Sequence, residues 1–281
     1  MTEVSRIISC TTLGILSFFC FQEGIFLCSG LKVKNNARRT LIFIEFFTGF
    51  LLLCDALAYF FRGNTSTLGY YMVRISNFVV FTCNFSISFF VCFYICEFIK
   101  QSRLSFSVLL KPKQAIKDGI PVQIFIVLIL CLIGILLTFI SQFTNFFYYF
   151  DENNIYHRSP YFSLSIGLGT LPVLITFTML LQKKKYFAKN VFISLFVYFV
   201  FLFIGAILIL INYGISWINI SFCIGALHLF YSSIKLLELE FFSGKHKTSV
   251  LSPNYKVENF KPEKKIKVIQ NHFWQTISIS L

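Results

Sequence analysis

Long runs without charge alternate along this chain with short blocks that hold nearly all of it. An unpaired backbone amide in hydrocarbon costs several kcal/mol, so an uncharged run of ~20 residues reads as a membrane-spanning helix. Spans are predicted near 7–28, 41–61, 70–99, 122–143, 161–181, 190–211 and 217–237. The stretch from Val191 to Ile234 carries no charge yet is too long for one span, and Asn212, Tyr213 and Gly214 supply the turn that folds it into a helical hairpin. The expected fold is all-α: a polytopic membrane helix bundle of about seven transmembrane helices over 1–237, followed by a basic tail over 238–281.

Composition agrees with the pattern. With 56% hydrophobic residues, 38 of them Phe, the 281-residue chain has more apolar surface than a soluble domain of this length buries, and the excess must face lipid. Orientation follows from Lys and Arg. Lys32, Lys34, Arg38 and Arg39 fall between the first two spans, and Lys100, Arg103, Lys111, Lys113 and Lys117 follow the third. Lys183, Lys184, Lys185 and Lys189 follow the fifth, and the tail adds Lys245, Lys247, Lys256, Lys261, Lys264, Lys265 and Lys267. These segments are expected in the cytoplasm, which places the N-terminus outside and the C-terminus inside. The connection 144–160 sets Asp151 and Glu152 against the single Arg158, as an exterior loop would. The first apolar run continues past Glu23 to Cys28 with no small-residue cleavage site, so it is read as a span and not as a signal peptide.

A net charge of +13 invites a nucleic-acid reading, but the basic residues sit in loops between spans, so no nucleic-acid partner is expected. The expected partner is a bilayer with an anionic inner leaflet, worth about 1 kcal/mol per nearby Lys. All nine cysteines lie within or at the ends of predicted spans without ligand spacing, and neither disulfides nor a metal nor another cofactor is expected. Cys92 and Cys96 share a helix face as small apolar thiols.

Chemistry is to be sought among residues that do not belong in lipid, where a charge at mid-depth costs about 2.5–3.5 kcal/mol. In the second span Glu45, Thr48, Leu52, Asp55, Tyr59 and Arg62 recur at steps of three and four and so share one face. In the third span Arg74, Asn77, Phe81, Asn84 and Ser88 do the same. These spans run in opposite directions, which brings Asp55 and Arg74 to similar depth and predicts a pair between them, either as glue between helices or as a ligand or switch site. The connection Tyr148–Arg158 offers Asp151, Glu152, His157 and Arg158 among aromatics, a mixture suited to a small polar ligand and equally to a solvated loop. Pro172, after Gly167 and Gly169, predicts a kink or a close helix contact; Ser221 and Gly225 form a small-xxx-small pair; His228 is expected as a hydrogen-bonded interior residue.

No nucleophile elbow, metalloprotease motif or phosphate-binding Gly loop occurs, and no catalysis is expected. A transporter would show paired interruptions in two halves, and the sequence shows neither repeat nor pairing.

Two stretches, Arg62-Gly-Asn-Thr-Ser-Thr-Leu-Gly-Tyr-Tyr-Met-Val-Arg-Ile-Ser-Asn-Phe78 and Phe147-Tyr-Tyr-Phe-Asp-Glu-Asn-Asn-Ile-Tyr-His-Arg158, resemble the seven-helix sensor regions that precede histidine kinases or cyclic-di-nucleotide enzymes in low-GC bacteria. The resemblance covers about residues 1–237 and implies an input module whose conformation passes down the last span to a cytoplasmic output. The segment Val268-Ile-Gln-Asn-His-Phe-Trp-Gln-Thr-Ile277 resembles the start of a phospho-acceptor box, which would make His272 a vestigial phosphorylation site; Asn271 departs from the usual Pro, and Trp274 and Gln275 also differ. No ATP-binding domain follows within the 281 residues, so a truncated sensor kinase and a chance match in a basic tail both stand. The expected function is a membrane sensor or signalling input with a cytoplasmic partner or a homo-oligomeric state; the alternatives are a small-solute transporter or channel subunit, or a non-catalytic assembly factor.

The tail holds Pro253 and Pro262 and is expected to be largely disordered, except that Ile266, Ile269, Phe273 and Ile277 recur at helical spacing beside Lys264, Lys265 and Lys267. That segment reads as a short amphipathic helix on the inner leaflet. The topology is open to a direct check: reporter fusions within 144–160 are expected to report the exterior and fusions within 182–189 the cytoplasm, and the reverse at either site overturns the orientation.

Overall fold

A computed structural model describes residues 3–29, 36–100, 104–211 and 216–248. The expected turn at Asn212–Gly214, the amphipathic segment 264–279 and His272 lie outside these residues. Eight α-helices are described: α1 (Glu3–Ser29), α2 (Asn36–Phe60), α3 (Thr67–Lys100), α4 (Pro112–Lys117), α5 (Gln123–Thr144), α6 (Phe162–Gln182), α7 (Lys189–Ile211) and α8 (Trp217–Thr248). All but the short α4 are long and apolar enough to cross a membrane, so this is a multi-pass membrane protein. Helix is the form such runs must take, because it satisfies each backbone group within its own segment. The last helix continues to Thr248, past the boundary expected at 237.

α1 and α2 form an antiparallel pair, and α3 then packs against α2, α5 and α6. From Val91 to Glu97 every residue of α3 is buried, as befits a helix surrounded by others. Stacked rings fill the spaces at this end: Phe43 on Phe90 at 5.1 Å and Phe93 on Phe106 at 4.9 Å between centroids. Phe98 meets Phe187, Gln123 Nε2 donates to Gln182 Oε1 at 3.2 Å, and Thr40 Oγ1 donates to Glu97 Oε2 at 2.8 Å. These contacts gather the basic segments around 104–121 and 183–189 at one end of the bundle. α1 lies at the periphery, with Ile7, Ile8, Ile15, Phe18 and Ile25 exposed where lipid would cover them.

The opposite end carries the departure from an all-α chain. The expected plain loop at 144–160 is in part a β-hairpin, with β1 (Tyr148–Phe150) antiparallel to β2 (Tyr156–Arg158) in the register Tyr148↔Arg158, Tyr149↔His157 and Phe150↔Tyr156. α5 ends on Asn145 in the left-handed conformation (φ 55°), its N–H donating to the Ser141 carbonyl at 3.0 Å. Asn154 turns the hairpin, also left-handed, at φ 58°. Asn tolerates this region better than most residues with a Cβ.

Of the small residues singled out in the sequence, Gly167 and Gly169 have open space where a Cβ would stand and make no close helix contact. Pro172 is buried within α6, and Thr176 Oγ1 donates to its carbonyl at 2.7 Å. The close approach falls instead between α7 and α8, where Gly205 meets the Ser221 side chain and a Cβ on Gly225 would stand 2.5 Å from the Tyr198 ring. Tyr198 is fully buried and has little room to retreat. Gly225→Val is therefore expected to cost about 1–3 kcal/mol, read as a lower melting temperature of the purified protein, while Gly167→Val leaves it unchanged.

Candidate functional site

The stripe on α2 is real, but its partner is not α3. Glu45, Thr48 and Leu52 have no exposed surface, and Asp55 is buried. Asp55 accepts a hydrogen bond from Asn219 Nδ2 at 2.7 Å and a second from Ser216, both in the segment that opens α8. The Ser216 hydroxyl also bonds the Tyr59 hydroxyl at 3.2 Å. On its other side Asn219 Oδ1 accepts from Asn84 Nδ2 of α3 at 3.5 Å. One amide therefore joins α2, α3 and α8, and two polar residues one helical turn apart on α2 both meet the start of α8.

The expected Asp55–Arg74 pair is corrected by this arrangement. The Arg74 guanidinium donates to Asn154 Oδ1 at 2.8 Å and to the Tyr70 carbonyl at 3.1 Å, and it lies over the Tyr70 ring at 3.5 Å and the Phe150 ring at 4.7 Å. Similar depth brought the two residues to the same end of the bundle. Depth says nothing about azimuth, however, and Asn219 supplies a donor that Asp55 can reach without drawing a guanidinium into the core. Asn77 also leaves the stripe's expected role, since its Nδ2 donates to the Val73 carbonyl of its own helix at 2.8 Å.

Arg74 belongs to a second cluster built on the hairpin. Asn154 Nδ2 donates to the Asn64 carbonyl at 2.9 Å, and the Asn154 carbonyl accepts from Gly63 N–H at 3.4 Å, so the hairpin tip is tied to the α2–α3 turn. Arg62 sits in that turn, and its carbonyl accepts from Arg6 Nη1 of α1 at 3.2 Å. Within the hairpin the Asp151 carboxylate accepts from Ile155 N–H at 2.9 Å and lies 2.9 Å from His157 Nε2. The Ile155 amide first, and His157 second, hold the Asp151 carboxyl below the usual carboxylate range. Tyr148 stacks on Phe81 at 5.2 Å and bonds Gln142; burial pushes its hydroxyl, and that of Tyr156, up. Arg158 lies over the Phe162 ring at 4.3 Å, and Glu152 is exposed. Asp151, His157 and Arg158 thus hold the hairpin together and fix it to the bundle, which is more than a solvated loop requires.

Glu45 stands apart from both clusters, with neither carboxylate oxygen hydrogen-bonded. Glu23 Oε2, Tyr198 Oη and His228 Nε2 are likewise buried without a hydrogen-bond partner, against the expectation for His228. Sequence reading missed Asn219, Ser216, Asn154 and Tyr198. A lone amide in an otherwise apolar span was the available signal for Asn219; nothing local marked the others.

Comparison with protein-family models, with curated proteins and with solved structures found no match.

The clamp around Asn219 is testable by a double-mutant cycle. Asp55→Ala and Asn219→Ala are each expected to lower thermal stability, and the double variant to lose less than the sum, since each single change strands a buried partner. Exchanging Asp55 and Arg74 for one another is expected to rescue nothing.

Proposed function

We propose that this protein is a membrane signalling input module in which α8 is the moving output element. The observation that carries the reading is the hydrogen-bonded contact of Asp55 and Tyr59 with Asn219 and Ser216. Between apolar helices in lipid, association depends on packing and on a few polar contacts, so these contacts bias where α8 sits. The helix that carries Asn219 is described as far as Thr248. With the Lys-rich segments in the cytoplasm, the hairpin end faces outward and serves as the receiving surface, and the output end lies within the reach of a cytoplasmic partner or of a second copy. The partners of the module are an anionic inner leaflet and a signalling protein, and its role is transduction, not catalysis.

A transporter or channel would need a water-filled path along the Glu45–Arg62 stripe. Burial of Glu45, Thr48, Leu52 and Asp55 favours the signalling reading over that one.

The test places an environment-sensitive fluorescent amino acid at position 245 in the full chain, reconstituted in vesicles. Opening the clamp with Asn219→Ala is expected to shift its emission, while Thr138→Val, a buried change on α5, leaves it unchanged. Emission indifferent to both overturns α8 as the output element.

A further inference from the structure

Among the described residues, Glu45 carries a buried carboxyl group that neither the clamp nor the hairpin uses. Glu45 has no exposed surface, and both of its oxygens lack a hydrogen-bond partner. What surrounds it follows from the helix register. Ser17 Oγ donates to the Gly49 carbonyl at 2.9 Å, Phe21 meets Phe46 at 6.0 Å, and a Cβ on Gly24 would stand 3.1 Å from the Phe46 ring. This antiparallel run of contacts brings Glu23 of α1 to the level of Glu45. Cys20 touches Cys223 at 3.6 Å and Phe26 meets Phe230 at 5.8 Å, so the middle of α8 lies at the same depth. Gly225, packed on the Tyr198 ring, brings α7 into that layer.

The groups that face Glu45 come from every element around it. Glu23 and Cys20 on α1, Tyr94 on α3, Tyr198 on α7 and Cys223 on α8 all lie within electrostatic reach of its carboxylate. His228 stands on α8 near the same level, and Glu97 lies beyond Tyr94 toward the basic end, where Thr40 holds it. Tyr198 is only 1% exposed, and its hydroxyl has no partner either. It is a second buried polar group in this layer, outside the acidic pair.

The small cavity beside Tyr198, of about 10 Å³ and bordered by Ser88 and Thr176, is lined by neither Glu45 nor Glu23 and leaves the carboxyl layer itself closed. Among the described residues no three His, Cys, Asp or Glu side chains come together in a way that would hold a metal ion. An ionised carboxylate here would have lost its water and gained no donor among the described residues to offset the cost. A single proton removes that cost by making the group neutral.

We propose that Glu45, in the layer it shares with Glu23 and Tyr198, is a membrane-buried proton-binding site whose occupancy keeps α1, α2, α7 and α8 packed together. Loss of the proton places negative charge in the layer that holds the first helix to the last and loosens it. The site stands independently of the signalling role of α8, because proton binding is read without any output.

The experiment is isotope-edited infrared spectroscopy of the full chain in nanodiscs, with Glu carboxyl carbons labelled with ¹³C, combined with melting curves across pH. A labelled carbonyl band of protonated acid is expected at neutral pH. It disappears in Glu45→Gln and in Glu45→Asp, and survives in Glu97→Gln. Because the folded site holds the proton and the unfolded chain releases it, the melting temperature of the wild type falls as pH rises, and Glu45→Gln flattens that dependence. Absence of the band from the wild type, or its persistence in folded Glu45→Gln or Glu45→Asp, overturns the proposal. So does recovery of the melting temperature at high pH by sodium but not by choline at equal ionic strength, which would make the ligand a metal cation. If neither Glu45 variant folds, the wild-type band and its titration decide alone.

Discussion

A polar group in hydrocarbon must find a partner within the protein, and the way each one does so accounts for how this bundle is joined. The cheapest solution is local. Thr48, Asn77, Ser86, Ser88, Thr138, Thr170 and Thr176 all donate to the carbonyl four residues back in their own helices. Such groups are quiet and bring no helices together. The few side chains that reach across do the joining: Ser17 to the Gly49 carbonyl, Thr40 to Glu97, Ser194 to Ser232, and Asp55 to Asn219. Two of these, Thr40 to Glu97 and Asn219 to Asp55, involve buried carboxylates, and the Asp55 contact joins α8 to α2.

The two ends of the bundle are finished differently. At the hairpin end, backbone leaves the helical form and must be satisfied by side chains: Ser141 caps the Phe147 amide at 2.9 Å, and Asp151 takes that of Ile155. Arg74 is held there by two rings and an amide, which keep a guanidinium near the membrane boundary with no acid partner among the described residues. At the other end rings and long basic side chains do the work, as where Lys100 reaches the Asp118 carbonyl. The hairpin end is therefore the more specifically built surface.

The span count, most span boundaries and the polar face of α2 could be read directly from the sequence, because each follows from local composition and from a helical repeat, whereas α1 and α2 begin four and five residues earlier than expected and α8 ends eleven later. A step of three or four puts Glu45, Asp55 and Tyr59 on one face in any helix. What that face meets is a different kind of fact. Asp55 and Arg74 have matching depth, yet the rotation of α2 and α3 about their axes turned Asp55 toward α8 and Arg74 toward the hairpin.

Tertiary structure alone decided the partners, since these join residues distant in the chain: Asn219 to Asp55, Tyr198 to Gly225, Cys20 to Cys223. It also decided where the hairpin at 144–160 docks, since Asn154 bonds Asn64 and Arg74 of the α2–α3 region. The sequence by itself determined that this chain crosses the membrane, because the cost of leaving amides and charges in lipid is paid residue by residue. Which polar groups satisfy one another, and which, like Glu45, are left without a partner, depends on the packing of several helices at once, and no local pattern encodes it.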